Sequence, residues 1–202
     1  MLEAEIIAHC APTLAGIKTA NMFTYTPMNR NKLSMEIEEE NRKLNCRGVF
    51  VEVLRTSEYK ALVYVYRKKK LEQDLQCEGA CALLKDCGYE CQETDCCIRQ
   101  LQERFFEKDG FPHEVGLFLG YPLDDVTGFI EQKGKNYKCC GIWKVYGNEK
   151  QTQTEAFPHI AEQVKHLRLH RSVQSRNGLV ADQHVRAGDQ RAGHGDALAL
   201  PA

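Results

Sequence analysis

Residues 49–66 read Val49-Phe-Val-Glu-Val-Leu-Arg-Thr-Ser-Glu-Tyr-Lys-Ala-Leu-Val-Tyr-Val-Tyr66. Val49 to Leu54 and Tyr59 to Tyr66 are rich in valine and tyrosine, the residue types that suit a pleated, half-buried surface. The link between them, Arg55 to Glu58, is short and polar, so the two runs predict a β-hairpin. Working upstream, Asn21 to Thr26 is a further β-rich run that Pro27 and Asn29 break. Leu2 to His9 reads as a short helix ended by Cys10-Ala11-Pro12, because the residue before a proline avoids the helical region. Thr13 to Ala20 follows as a small-residue loop turning at Gly16, and Asn31 to Leu44 reads as a helix with a charged face.

Downstream of the hairpin, Lys68 to Gln76 and Gly79 to Cys87 have helical patterns, with Gly88 as a stop. Thr94-Asp95 can cap a helix running to about Phe106. Lys108-Asp109-Gly110 marks a turn. Phe111 to Gly120 fits two forms: Val115, Leu117 and Leu119 alternate as in a strand, while Pro112 followed by Glu114 suits a first helical turn. Pro122 opens a helix to about Gln132, with Asp124 and Asp125 favourably placed in its first turn. Tyr137 to Tyr146 reads as a strand and Thr154 to Leu167 as the last helix. Helices and strands interspersed around one hairpin predict a single α+β domain over residues 1–168, built as a mixed β-sheet with several packing helices.

Composition narrows the function classes. In 202 residues, 27 Lys+Arg face 28 Asp+Glu, a net charge of -1, which is no electrostatic footprint for nucleic acid or an anionic membrane. The longest apolar run, Ala61 to Tyr66, is six residues, against about 20 needed to span a bilayer. Met1 to Ile7 carries two glutamates and no basic residue, unlike a secretory signal. These features predict a cytoplasmic protein that meets neither nucleic acid nor membrane, and they leave its oligomeric state open. Residues 169–202 contain no Lys, Glu, Ile, Cys, Met, Phe, Tyr or Trp. With so little to bury, they predict a disordered segment, and the abrupt change of residue usage suggests an out-of-frame or foreign terminus.

Ten cysteines are the first chemical candidates. Six fall in Cys77-x3-Cys81-x5-Cys87-x3-Cys91-x4-Cys96-Cys97, without the C-x2-C knuckle common in metal sites. A metal ion is therefore not assigned, although a metal or thiol-redox protein stays as an alternative. Ala15-Gly16-Ile17-Lys18-Thr19 lacks the glycine-lysine step of a phosphate-binding loop. No G-x-S-x-G, G-x-G-x-x-G or C-x-x-C occurs, so the cofactor stays open. His113-Glu114 pairs an imidazole that titrates near neutral pH with a carboxylate able to orient it, but Leu117 breaks the H-E-x-x-H spacing of a zinc protease.

Four blocks carry a family resemblance. They are Cys10-Ala-Pro-Thr-Leu-Ala-Gly-Ile-Lys18; Val63-Tyr-Val-Tyr-Arg67; Phe111-Pro-His-Glu-Val-Gly-Leu-Phe-Leu-Gly-Tyr-Pro122 continuing through Asp125-Val-x-Gly-Phe-Ile130; and Gly141-Ile-Trp-Lys-Val-Tyr-Gly147. In that order they resemble the domain of unknown function 3793 family, over about residues 1–168. The resemblance implies bacterial origin and a cytoplasmic setting, but no reaction, and it leaves the cysteine run outside the shared blocks.

Within the blocks, Cys10, Lys18, Arg67, His113, Glu114, Tyr121, Trp143 and Lys144 are polar or aromatic groups set among Gly and Pro. They predict one pocket for a small anionic ligand. Lys18, Arg67 and Lys144 would supply charge, with Tyr121 and Trp143 as walls. If the pocket is catalytic, Cys10 with His113 and Glu114 would be its nucleophile, base and orienting group. A third possibility is an interaction module without chemistry that uses an apolar face.

Overall fold

The computed structural model describes residues 1–90, 93–106, 111–140 and 144–147. Its centre is a three-stranded sheet in the order β1-β3-β2, from β1 (Ala20–Tyr25), β2 (Val49–Thr56) and β3 (Ala61–Arg67). The hairpin expected from the alternation is β2–β3, paired Val49↔Arg67 through Thr56↔Ala61. Its turn lies later than the sequence suggests, at Ser57 to Lys60, where Ser57 N–H donates to the Lys60 carbonyl at 2.7 Å. The register shifts between Val53 and Arg55, so Leu54 has no opposite number and β2 runs on past it, as at a β-bulge. β1 pairs with the other edge of β3, and every pairing is antiparallel, in place of the expected mixed sheet.

Alternation along the strands divides the core between the two faces. Phe23, Tyr25, Val49, Val51, Val63 and Val65 point to one side. They are covered by Leu2, Ile6 and Cys10 of α1 (Leu2–Leu14) and by Leu33 of α2 (Leu33–Leu44). Ala20, Met22, Leu54, Tyr64 and Tyr66 point to the other. There they meet α3 (Lys68–Gln76), α4 (Glu78–Asp86), α5 (Thr94–Phe106), the single turn α6 (Val115–Phe118) and α7 (Leu123–Glu131). Leu71 and Leu75 of α3 share one face at i,i+4, as do Ile98, Leu101 and Phe105 of α5 at i,i+3,i+7, and all are buried. The α+β class is therefore as expected, arranged as helices, sheet, helices.

Several boundaries moved for local reasons. The first helical run ends before Cys10, as expected: Cys10 is non-helical (φ -117°, ψ 15°), and α1 is two helical stretches across this kink, the second running to Leu14 with Pro12 in its first turn, where a proline is tolerated. The Pro12 carbonyl then accepts Ile17 N–H at 2.9 Å and Lys18 N–H at 3.2 Å, which closes the chain into the turn before β1. In the ambiguous stretch the helical form is the one adopted, as α6. The single strand expected over 137–146 is instead a pair of two-residue strands, β4 (Cys139–Cys140) and β5 (Lys144–Val145), antiparallel to each other. The expected turn at 108–110 and the helix at 154–167 lie outside the described residues, as does the segment 169–202.

The outer edge of β2 is closed by side-chain amides. Asn41 of α2 accepts from Val51 N–H and donates to the Val51 carbonyl, both at 2.8 Å. Gln102 of α5 donates to the Val53 carbonyl at 3.0 Å. Such plugs occupy groups that would otherwise template another strand.

Candidate functional site

The turn between α1 and β1 is held from α3. Arg67, at the end of β3, donates through Nε to the Thr13 carbonyl (2.6 Å) and through Nη2 to the Leu14 carbonyl (2.5 Å). Lys70 donates to the Gly16 and Ile17 carbonyls at 3.2 and 3.0 Å. Thr13 and Leu14 close α1 and Gly16 and Ile17 follow it, and cations are favoured beside carbonyls at a helix C-terminus. Gly16 has φ +78°, and a Cβ there would sit 3.5 Å from the Arg67 guanidinium carbon. That is ordinary contact, so it is the positive φ rather than lack of space that favours glycine there.

Lys18 leaves this turn inward. It is 9 % exposed, and its Nζ lies 5.0 Å from the centre of the Tyr121 ring. Burial lowers the Lys18 ammonium from 10.5 to about 8, with Cys10 opposing the shift. Cys10 is fully buried, and burial pushes its thiol far above the ordinary value while Lys18 pulls it back. Lys18 therefore stands at the rim of the sheet, between Tyr121 of one layer and Cys10 of the other. The next residue, Thr19, donates to Asp74 Oδ2 of α3 at 2.5 Å. Gly120, with φ +75°, closes the site: a Cβ there would be 2.8 Å from both Cβ and Oγ1 of Thr19.

The other sequence candidates lie elsewhere. His113 is half-buried among Phe111 (ring centres 6.0 Å apart) and Phe129 (4.9 Å). Burial holds its imidazole below the usual value, with Glu114 opposing. Phe111 packs on the α3–α7 side of the sheet and Cys10 on the α1–α2 side, so the sheet stands between the expected nucleophile and its base. Glu114 is 3 % exposed and turns to Arg104 Nε and the Tyr89 hydroxyl (3.3 Å). The expected Cys10–His113–Glu114 grouping is thus not assembled: His113 lies across the sheet from Cys10, and Glu114 turns to Arg104 and Tyr89.

Lys144 reaches the Phe129 and Tyr137 rings (5.9 and 4.8 Å) and donates to the Gly134 carbonyl. It thus shares Phe129 with His113 in a second group, apart from Lys18. Trp143 lies outside the described residues. The third and fourth sequence blocks meet because Asp125, fully buried, accepts from Tyr146 N–H (2.8 Å) and Gly147 N–H (2.9 Å) through Oδ1. Asp74 and Arg104 were not among the residues singled out in the sequence. Each sits in an ordinary charged helical face, and only tertiary contacts mark it.

Among the described residues, no three His, Cys, Asp or Glu side chains come together to hold a metal ion. Cys77 and Cys81 instead donate to the Gln73 and Leu75 carbonyls, at 3.4 and 3.1 Å. Cys91 and the side chain of Cys140 lie outside the described residues. A separate open groove of about 440 Å³ runs between α3 and the start of α5, lined by Lys68, Glu72, Gln76, Glu93, Thr94 and Asp95. None of the described helices is long and apolar enough to cross a membrane.

A family model described as a protein of unknown function (DUF3793) matches residues 6–176. The chain belongs to this family. The match spans all four blocks quoted above and ends inside the stretch 169–202 that the composition sets apart. No curated protein and no solved structure matches the chain.

The electrostatics of Lys18 have a direct consequence for stability. In the unfolded chain this lysine keeps its proton up to about pH 10.5, and in the folded chain it releases it near pH 8. Folded protein then binds fewer protons, so this group makes stability rise with pH between those values. Relative to Lys18→Met, the wild-type chain is expected to gain about 1 kcal/mol from pH 7 to pH 9. Parallel urea melts at the two pH values measure it. An equal response in both proteins removes the assignment. Above pH 9 the raised Cys10 thiol acts with the opposite sign, so the comparison stops there.

Proposed function

We propose that this member of the DUF3793 family is a bacterial cytoplasmic domain that binds a small anionic ligand at the α1–β1 turn. Lys18 supplies the charge, Tyr121 one wall, and Arg67 the support that holds the turn in shape. The carrying observation is the burial of Lys18 beneath Tyr121. Removing an ammonium from water is costly, and perturbed titratable groups concentrate at functional sites. Arg67 and Lys70 hold the carbonyls of the turn that leads into Lys18, while Asp74 is the carboxylate that Thr19 engages. The thiol of Cys10 takes no nucleophilic part in this reading. His113 and Lys144 form a separate group around Phe129, which Trp143 adjoins in sequence.

A thermal-shift panel of small carboxylates and phosphates tests the proposal. A true ligand at a hundred times its Kd adds about 2.7 kcal/mol to folding, which raises Tm by several degrees. Lys18→Met is expected to abolish that shift while leaving the unliganded protein at least as stable at pH 7, because the buried charge is gone. A shift that survives in Lys18→Met places the ligand elsewhere.

A further inference from the structure

We infer that the groove between α3 and the start of α5 is a binding site for a linear aliphatic polyamine, a ligand with ammonium groups spaced along a flexible chain. This site is separate from the α1–β1 turn. The groove holds about 440 Å³, within the range of small-molecule sites. One wall is a stripe of α3, where Lys68, Glu72 and Gln76 follow at four-residue steps, about 6 Å apart along the helix axis. The other wall is Glu93, Thr94 and Asp95.

Charge sets the class of ligand. Lys68 is the only cation lining the groove, and it is taken up by Asp95 at 2.7 Å while lying over the Phe50 ring. Glu72 on one wall and Glu93 on the other make no ion pair among the described residues. Glu52 of β2 is half-buried close by, and the charge of Asp95 adds to burial in raising its carboxyl. The Tyr66 hydroxyl, raised first by burial, also feels Glu52, Asp95 and Glu72. Four carboxylates thus gather around one lysine.

Thr94 points to a ligand independently of charge. It is 7 % exposed and lines the groove, yet its hydroxyl has no hydrogen-bond partner among the described residues. Buried hydroxyls are as a rule partnered, and a donor seated in the groove would supply the partner. The Gln76 amide oxygen offers one more neutral acceptor. A bare metal ion does not fit, because no three His, Cys, Asp or Glu side chains among the described residues converge on one point. The carboxylates stand on two walls, so the cation must be long enough to reach both. A primary ammonium, with three N–H donors and no acceptor, matches walls made of acceptors, and the methylenes between two such groups cross the space.

The test titrates the full chain with spermidine by calorimetry at low salt. The expected result is a single site with a Kd below about 1 mM. Glu72→Gln/Glu93→Gln is expected to weaken it at least tenfold, the scale of lost charge-assisted contacts. The control Glu38→Gln/Glu58→Gln removes the same charge from exposed positions elsewhere and is expected to change it less than twofold. None of these four carboxylates is part of an ion pair among the described residues, so both doubles are expected to keep the wild-type Tm, read alongside. Thr94→Val keeps shape and charge and is expected to weaken binding at least threefold. Equal weakening in the two doubles, or an unchanged Kd in Thr94→Val, reduces the effect to general attraction toward an acidic surface and overturns the inference. Magnesium ion alone binding in a Glu72- and Glu93-dependent way overturns it in favour of a metal. Penta-lysine doing so where spermidine does not bind overturns it in favour of a basic peptide. No binding of spermidine overturns it outright.

Discussion

Arg104→Met is expected to destabilise the protein by about 3 kcal/mol at neutral pH, which is roughly 6–12 °C in Tm for a domain of this size. Arg104 donates to Glu114 through Nε, to the Cys87 carbonyl through Nη1 at 2.8 Å, and lies 5.6 Å over the Tyr89 ring. Methionine keeps the stem and loses every polar contact. Glu114, only 3 % exposed, is then a buried carboxylate with the Tyr89 hydroxyl as its remaining partner among these groups. The outer part of Arg104 reaches solvent, its side chain being 34 % exposed, which places the cost at the lower end for a broken buried pair. Most of it is the stranded charge rather than the missing bond. The double variant Arg104→Met/Glu114→Gln is therefore expected to recover more than half of the loss. Denaturant melts of both decide it, and a double variant as weak as the single one shows that most of the loss came from packing against Tyr89.

Gly120→Val is expected to cost at least 3 kcal/mol, from two causes that add. Gly120 has φ +75°, a region that strains a β-branched residue by about 1–3 kcal/mol. A Cβ there also meets Thr19 Cβ and Oγ1 at 2.8 Å, closer than such atoms approach without movement. Thr19 can yield only by leaving Asp74. Gly88→Val is the control, because Gly88 has φ +89° but nothing lies within 4 Å of its Cβ position. It is expected to lose stability through backbone strain alone. The comparison is made by urea melts of the two variants. Equal losses would show that the approach of Thr19 to residue 120 contributes nothing, and would loosen the tie between the third sequence block and the turn bearing Lys18.

Both variants mark the boundary of what local patterns convey. The α3 and α5 helices were legible because their apolar residues repeat at the helical period, and β2–β3 because valine and tyrosine alternate about a polar link. Their ends were less legible. Leu54 reads as the last residue of a strand, yet a bulge carries β2 on to Thr56. Cys10 to Pro12 reads as a stop, and Cys10 does leave the helical region, but a second short stretch then runs on to Leu14. Tyr137 to Tyr146 has the composition of one strand, but its pairing is with itself.

The candidate site was half legible. Lys18, Arg67 and Tyr121 were singled out for their chemistry, and the fold brings Lys18 to Tyr121 and Arg67 to the turn before Lys18. Lys144 is drawn to another group by the Phe129 and Tyr137 rings. Cys10, His113 and Glu114 were grouped because thiol, imidazole and carboxylate recur together in catalysis, yet residue type says nothing of side. Along a strand or helix, side depends on parity and phase, so residue 10 on α1 and residue 113 before α6 end up across the sheet from each other.

By itself the sequence determined the α+β class, the hairpin, the positions of most helices and the blocks that carry the family. Those follow from period, turn residues and caps, all of which act over a few neighbouring residues. The tertiary structure alone decided that Lys18 is buried, that Glu114 answers to Arg104, and that Thr19 meets Asp74 and Gly120. Such contacts join positions from 10 to about 100 residues apart, and they arise from how whole faces pack, a property no local run of residues contains.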